Sequence, residues 1–320
     1  MHSSKTLRIA ALGTASDFKD SLLPCVIQSQ GIHLEWVKPT QSDILILGSF
    51  YQESKRYRWL PKPLRPSPSV EGDFLWQHLG GRRIKPMTVF LTGENIRHNV
   101  FPTDYSISFD LTVNTPSHSR LPYWMEMVDW SHEGLNGNCN PRFGALLQLD
   151  QLEKPLGGQF LERERKAILL SSHLREPRAS CMQALQRSIV VDGFGPHFDN
   201  NIKDHHHSGF LKKDLLASYA FNLCPENGLY PGYITEKIPE AFAAGCLPIT
   251  WVDESISVDF NPAAMINLKP MMQDDFSSLV DILSYEKKLA DFMDQPLLLR
   301  RPSIEPFRQF IARVLLDAAH

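Results

Sequence analysis

The chain has no long apolar run. Its longest, Ala241 to Val252, is interrupted by Gly245, Pro248 and Thr250 and is far too short to cross a bilayer. Residues 1–12, MHSSKTLRIAAL, lack the apolar core and small-residue cleavage site of a secretion signal. Neither sign of charge dominates: 33 basic and 36 acidic residues give a net charge of −3, which offers nothing for sequence-independent binding to nucleic acid. Cysteines are few and scattered, at 25, 139, 181, 224 and 246, with no CxxC pair and no Cys/His spacing of a zinc site. An odd number of thiols without a secretion signal fits reduced cysteines in a cytoplasmic protein. No two aspartates are separated by a single residue, so an Asp-x-Asp metal motif is also missing.

What is present is the composition of a globular protein. The 320 residues are 42% hydrophobic and 22% charged, enough for two ordinary domains. Strand signals recur as LRIAAL (7–12), HLEWV (33–37), DILILGSF (43–50), TVFLTG (88–93) and YSISFD (105–110). Apolar runs that end in glycine or polar residues predict parallel strands covered on both faces, with ligand residues at their carboxyl ends. WLPKPLRPSPSV (59–70) and SHEGLNGNCNP (131–141) read as loops. Pro155, Gly157 and Gly158 read as a linker. Beyond it the alternation restarts: strand 166–172, helix 178–188, strand 189–195, helix 210–219, strand 220–224, helix 234–245 and strand 246–252. The expected division is 1–153, 160–300 and a final helix within 301–320. That helix places Ile304, Phe307, Phe310, Ile311, Val314 and Leu315 on one face.

The segment FNLCPENGLYPGYITEKIPEAFAAGCLPITW (221–251) carries the most chemistry. A buried strand leads through a polar loop into a helix start, where free N–H groups and the positive dipole end suit a phosphate. Lys237 adds a cation there, and Glu236 offers oxygens for a pair of neighbouring hydroxyls, as on a ribose. Thr235 is the expected N-cap, which would put Pro239 harmlessly in the first turn; Gly245 suits the C-terminal cap. Glu94 follows an apolar strand directly, where its carboxylate either serves chemistry at a strand end or caps the next turn. Arg178 opens a helix, with a fork of donors suited to a diphosphate. His205–His207 are read as a solvated loop, Gly193–Gly195 as a turn, and Trp124 and Trp130 as either core residues or a stacking surface for a sugar.

Three blocks, FLTGENIRHNVFPTDYSISFD (90–110), LLSSHLREPRASCMQAL (169–185) and PEN…YITEK…AFAAGCLPITW, resemble the α1,3/4-fucosyltransferase family in order and spacing, over about residues 88–300. The resemblance implies an α/β fold of GT-B type: two Rossmann-like domains with mainly parallel sheets facing across a cleft, the first for the acceptor and the second for GDP-fucose, with the final helix returning to the first. It implies an inverting enzyme that moves L-fucose from GDP-fucose to O3 of a GlcNAc or Glc unit of an oligosaccharide. By the same resemblance Glu94 is the general base, Arg178 and Lys237 hold the diphosphate, Glu236 binds the ribose, and Asn227 and Tyr233 line the pocket. No metal or other cofactor is required, a divalent ion being at most stimulatory. The form implied is bacterial-type and soluble. Pro225, where the family has Phe, and Asp253, where it often has Gly, depart from the pattern. A transferase of the same architecture using another sugar nucleotide and a non-catalytic glycan-binding protein are the alternatives.

Overall fold

The computed structural model describes residues 5–51, 86–138, 143–198 and 212–318. The Pro-rich stretch 59–70, His205–His207 and the start of the helix expected over 210–219 lie outside these residues. The chain divides into two compact units, one of Met1–Tyr123, Trp130–Asn138 and Ser303–His320, the other of Trp124–Asp129 and Cys139–Pro302. In this division the stretch around Pro155–Gly158 falls inside the second unit. There Leu152, Leu156 and Phe160 are buried and the Gly157 N–H donates to Met293 O at 2.9 Å.

In the first unit β1 (Lys5–Leu12), β2 (Ile32–Trp36), β3 (Ile44–Gly48), β4 (Met87–Leu91), β5 (Tyr105–Ser108) and β6 (His118–Arg120) form a single sheet in the order β2-β1-β3-β4-β5-β6. Every pairing is parallel. Strand β3 is buried at all five positions, as its uninterrupted ILILG run requires in a parallel sheet. β6 has no apolar alternation to betray it. It pairs with β5 at the sheet edge, where His118 Nδ1 and Ser106 Oγ lie 2.9 Å apart. Helix α1 (Leu22–Ser29) packs through Leu22, Leu23, Val26 and Ile27. The C-terminal helix, Glu305–Asp317, belongs to this unit and buries all six of its expected apolar residues, Phe310 meeting Tyr105 at 5.8 Å between ring centroids. Each such side chain contributes about 1.5–3 kcal/mol when fully buried.

In the second unit β7 (Lys166–Leu170), β8 (Val190–Phe194), β9 (Phe221–Leu223), β10 (Leu247–Thr250) and β11 (Ile266–Asn267) run parallel in the order β11-β10-β9-β7-β8. The helices that matter for function are α2 (Arg178–Gln186), α3 (Lys212–Leu216) and α4 (Lys237–Ala243). α4 ends with Gly245 in the left-handed region at φ +79°, where a Cβ would also meet the Arg163 guanidinium at 2.5 Å. Cys224 and Cys246, at a strand end and a strand start, are buried fillers, and burial pushes the Cys246 thiol up to about 12. From β7 the chain moves to β8 on one side and to β9 on the other. That reversal leaves a crevice at the carboxyl ends of β7 and β9.

Candidate active site

A pocket occupies that crevice. Leu170 of β7, Asn222 of β9, Pro225 just beyond β9, Arg178 of α2, Lys212 of α3, and Glu236 and Lys237 at the start of α4 all line it. Arg178 is only 8% exposed. Its guanidinium donates to Asn227 Oδ1 and lies 2.7–2.9 Å from the His173 ring nitrogens. Arg175, three residues earlier, is exposed. Burial and the two neighbouring arginines hold the His173 pKa below its usual value, which keeps this ring neutral beside the guanidinium.

The second wall is built on Glu226, which is fully buried. Its Oε1 accepts the Thr235 N–H at 2.7 Å, the Thr235 hydroxyl lies 2.9 Å away, and Oε2 takes the Lys237 ammonium at 2.9 Å. Thr235 is therefore not the N-cap of α4. Glu236 takes the cap position without a side-chain bond, because the Thr235 hydroxyl is committed to Glu226. Pro239 still falls in the first turn. Lys237 Nζ also donates to Thr235 Oγ1 at 2.6 Å, so two of its three hydrogens are engaged and one remains for a ligand. Burial works against the charge on Lys237, but Glu226 and Glu236 overcome it and raise its pKa. Burial would likewise raise Glu236, yet Lys237 and Lys212 draw its pKa below the ordinary value. Glu236 thus faces the pocket as a carboxylate.

Tyr233 is 2% exposed, so its ring is wall, and only its hydroxyl reaches Asn227, at 3.5 Å. Asn227 is exposed and joins Arg178 to Tyr233. Lys212 was not anticipated from the sequence, nor was Glu240, its ion-pair partner on α4. The long-range pairing of Glu226 with Lys237 was equally hidden, since no helical or strand period links residues eleven apart. Asp253 departs from the family for a structural reason: its Oδ1 accepts from Ser255 N at 3.0 Å and caps a short turn, while Lys269 lies 3.5 Å from the other oxygen.

Glu94 lies in the first unit, three residues beyond β4. The turn around it is tied by the Thr92 hydroxyl, which accepts the Glu94 N–H at 3.1 Å. Among the described residues its half-buried carboxylate has no hydrogen bond or ion pair, so it does not cap this turn. The segment after it is fixed by buried Asp110, which accepts the His98 N–H at 3.0 Å and the Ser108 hydroxyl at 2.7 Å and pairs with Arg97. Gly93 lets the turn pass the Tyr123 ring, which a Cβ would meet at 2.4 Å. Trp124 and Trp130 are both core residues, leaving no face for a sugar.

Residues 160–294, which carry the whole pocket, match the description glycosyltransferase family 10 (fucosyltransferase) C-term. This domain belongs to glycosyltransferase family 10. The family-10 region has relatives on both sides of the bacterial–animal divide. The Helicobacter pylori alpha-(1,3)-fucosyltransferase FucT is 29% identical over 217 residues, covering 62% of this chain and 43% of the relative. The human 4-galactosyl-N-acetylglucosaminide 3-alpha-L-fucosyltransferase 9 is 25% identical over 179 residues, covering 48% and 47%. The chain thus spans less than half the length of these relatives. A crystal structure of an alpha1,3-fucosyltransferase with GDP-fucose superposes with a TM-score of 0.64 at 21% identity, over 98% of this chain and 92% of that one. The fold is accordingly of GT-B type, with two mainly parallel sheets. No helix among the described residues is long and apolar enough to cross a membrane.

Proposed function

We propose that the protein is an inverting fucosyltransferase that moves L-fucose from GDP-fucose to O3 of a GlcNAc or Glc unit in an oligosaccharide. The observation that carries this reading is the pocket at the β7–β9 reversal, where the side chains of Arg178, Lys212 and Lys237 converge on a carboxylate, Glu236, inside the family-10 region. The cations match a diphosphate and the carboxylate matches the two ribose hydroxyls. Asn227 and Tyr233 border the sugar end of this pocket. Glu94 takes the proton from the acceptor hydroxyl as that oxygen attacks the anomeric carbon from the side opposite the leaving GDP. A base in this role has to be within reach of the proton and free of other partners, and the Glu94 carboxylate meets the second requirement. Negative charge that develops on the diphosphate is met by Arg178 and Lys237, so the chemistry uses side-chain cations and needs no resident metal.

The test is incubation with GDP-fucose and a panel of lactosamine-type and chitobiose-type oligosaccharides, with and without a chelator, the linkage of the product being read by NMR. Fucosylated product at O3 supports the reading. Donor that stays intact across the panel, or UDP competing for the pocket as well as GDP, refutes it.

A further inference from the structure

The reading above leaves the Lys212–Glu240 pair without a task. Glu240 lies one helical turn beyond Glu236 on α4 and is 1% exposed. Its Oε2 accepts from the Lys212 ammonium, whereas Oε1 is buried with no hydrogen-bond partner among the described residues. An ionised carboxylate held this way has half of its acceptor capacity unsatisfied, which a native interior rarely tolerates. Burial pushes Glu240 up to about 7 against the pull of Lys212.

The charged groups that face Glu240 are Lys212 on α3 and Glu236 and Lys237 on its own helix. β10, which also packs on α4, presents Leu247, Pro248, Ile249 and Thr250 and no ionisable side chain. The short helix Leu149–Leu152 meets α4 at its far end, where Gln151 Nε2 donates to Ala243 O at 2.7 Å; its Asp150 is paired with Arg301. Lys212 itself lines the pocket, and Glu240 occupies one of the three hydrogens of its ammonium. The remaining hydrogens are available to a ligand.

We infer that a nucleoside diphosphate entering the pocket binds the Lys212 ammonium and that Glu240 takes up a proton from solvent as it does so. Lys212 is then a third donor-binding cation, beside Arg178 and Lys237, and Glu240 is the group that keeps the local charge in balance. In the empty pocket the lysine charge is shared with Glu240. The ligand brings its own negative charge against the same ammonium and repels the carboxylate behind it. Protonation removes that repulsion and leaves a neutral carboxyl, which is far cheaper to bury. The proton comes from buffer and ends on Glu240; none comes from a diphosphate that is already ionised.

This inference rests on the reading of the pocket as a donor site, and one calorimetric experiment separates the two. GDP is titrated into the protein at pH 8 in Tris and in HEPES, whose ionisation enthalpies differ, so that the difference in heat counts protons. Wild type should take up about half a proton or more per GDP bound. Glu240→Gln, which keeps the shape of the side chain, should show no uptake. Lys212→Met should show none either and should bind GDP about 10- to 100-fold more weakly. Binding by wild type without uptake, or equal uptake in Glu240→Gln, overturns this inference and leaves the donor reading standing. No GDP binding by wild type overturns both.

Discussion

Replacing Lys237 by methionine tests the architecture of the pocket and its chemistry together. Glu226 is buried completely and the Lys237 side chain is 22% exposed, so the substitution strands a carboxylate in the interior. Breaking a buried pair from one side costs about 3–5 kcal/mol, and the partial exposure of Lys237 places the expected loss near the lower figure, about 3 kcal/mol. For a unit of this size that is a fall in Tm of about 6–12 °C. The double variant Glu226→Gln/Lys237→Met removes both charges while Gln keeps an oxygen for the Thr235 N–H. It should return to within about 1 kcal/mol of wild type, because an uncharged replacement escapes the desolvation penalty. GDP affinity should not return with it. The ammonium's remaining hydrogen is gone in both variants, a loss of about 10- to 100-fold. Urea unfolding monitored by circular dichroism gives the stabilities, and calorimetry gives the affinities. A single variant that loses less than about 1 kcal/mol, or a double variant as unstable as its two parents combined, would refute the claim that Glu226 and Lys237 form a buried, mutually dependent pair.

Glu94→Gln should lower turnover by roughly 10²- to 10⁴-fold with GDP affinity intact, measured by donor consumption and titration; unchanged turnover removes Glu94 from the mechanism. Arg178→Lys keeps the charge but not the fork that reaches both Asn227 and His173, and should weaken GDP binding by about 10-fold or more in a titration. Gly93→Ala forces a Cβ into the Tyr123 ring and should lower kcat while leaving GDP affinity unchanged, since the pocket residues lie in the other unit. Glu240 has a folded pKa raised above its unfolded value, so its stabilising contribution is full below pH of about 4.3 and is lost as pH rises through about 7. Relative to wild type, Glu240→Gln should therefore gain roughly 2–3 kcal/mol between pH 5 and pH 8 in denaturant unfolding.

The local alphabet of the chain was enough to place most strands and the chemistry-bearing loop. Runs such as ILILG in β3 are too short and too uniformly apolar to be anything but interior parallel strands, and the face of the last helix is written in its spacing. β6 was not legible, because a three-residue polar edge strand depends on its neighbour for its hydrogen bonds and not on any pattern of its own. The same distinction divides the site. Lys237 and Arg178 announce themselves as cations at helix starts next to strand ends, a placement that sequence alone determines. What sequence could not decide is which charges are already spent. The structure commits the Thr235 hydroxyl to Glu226 instead of to a helix cap, gives Lys237 a buried counterion, and brings in Lys212 and Glu240 from elements twenty-eight residues apart. Pairings of that kind follow from chain reversal across β7 and β9. They have no period along the backbone, and only the folded packing, which sets distance and solvent access together, determines them.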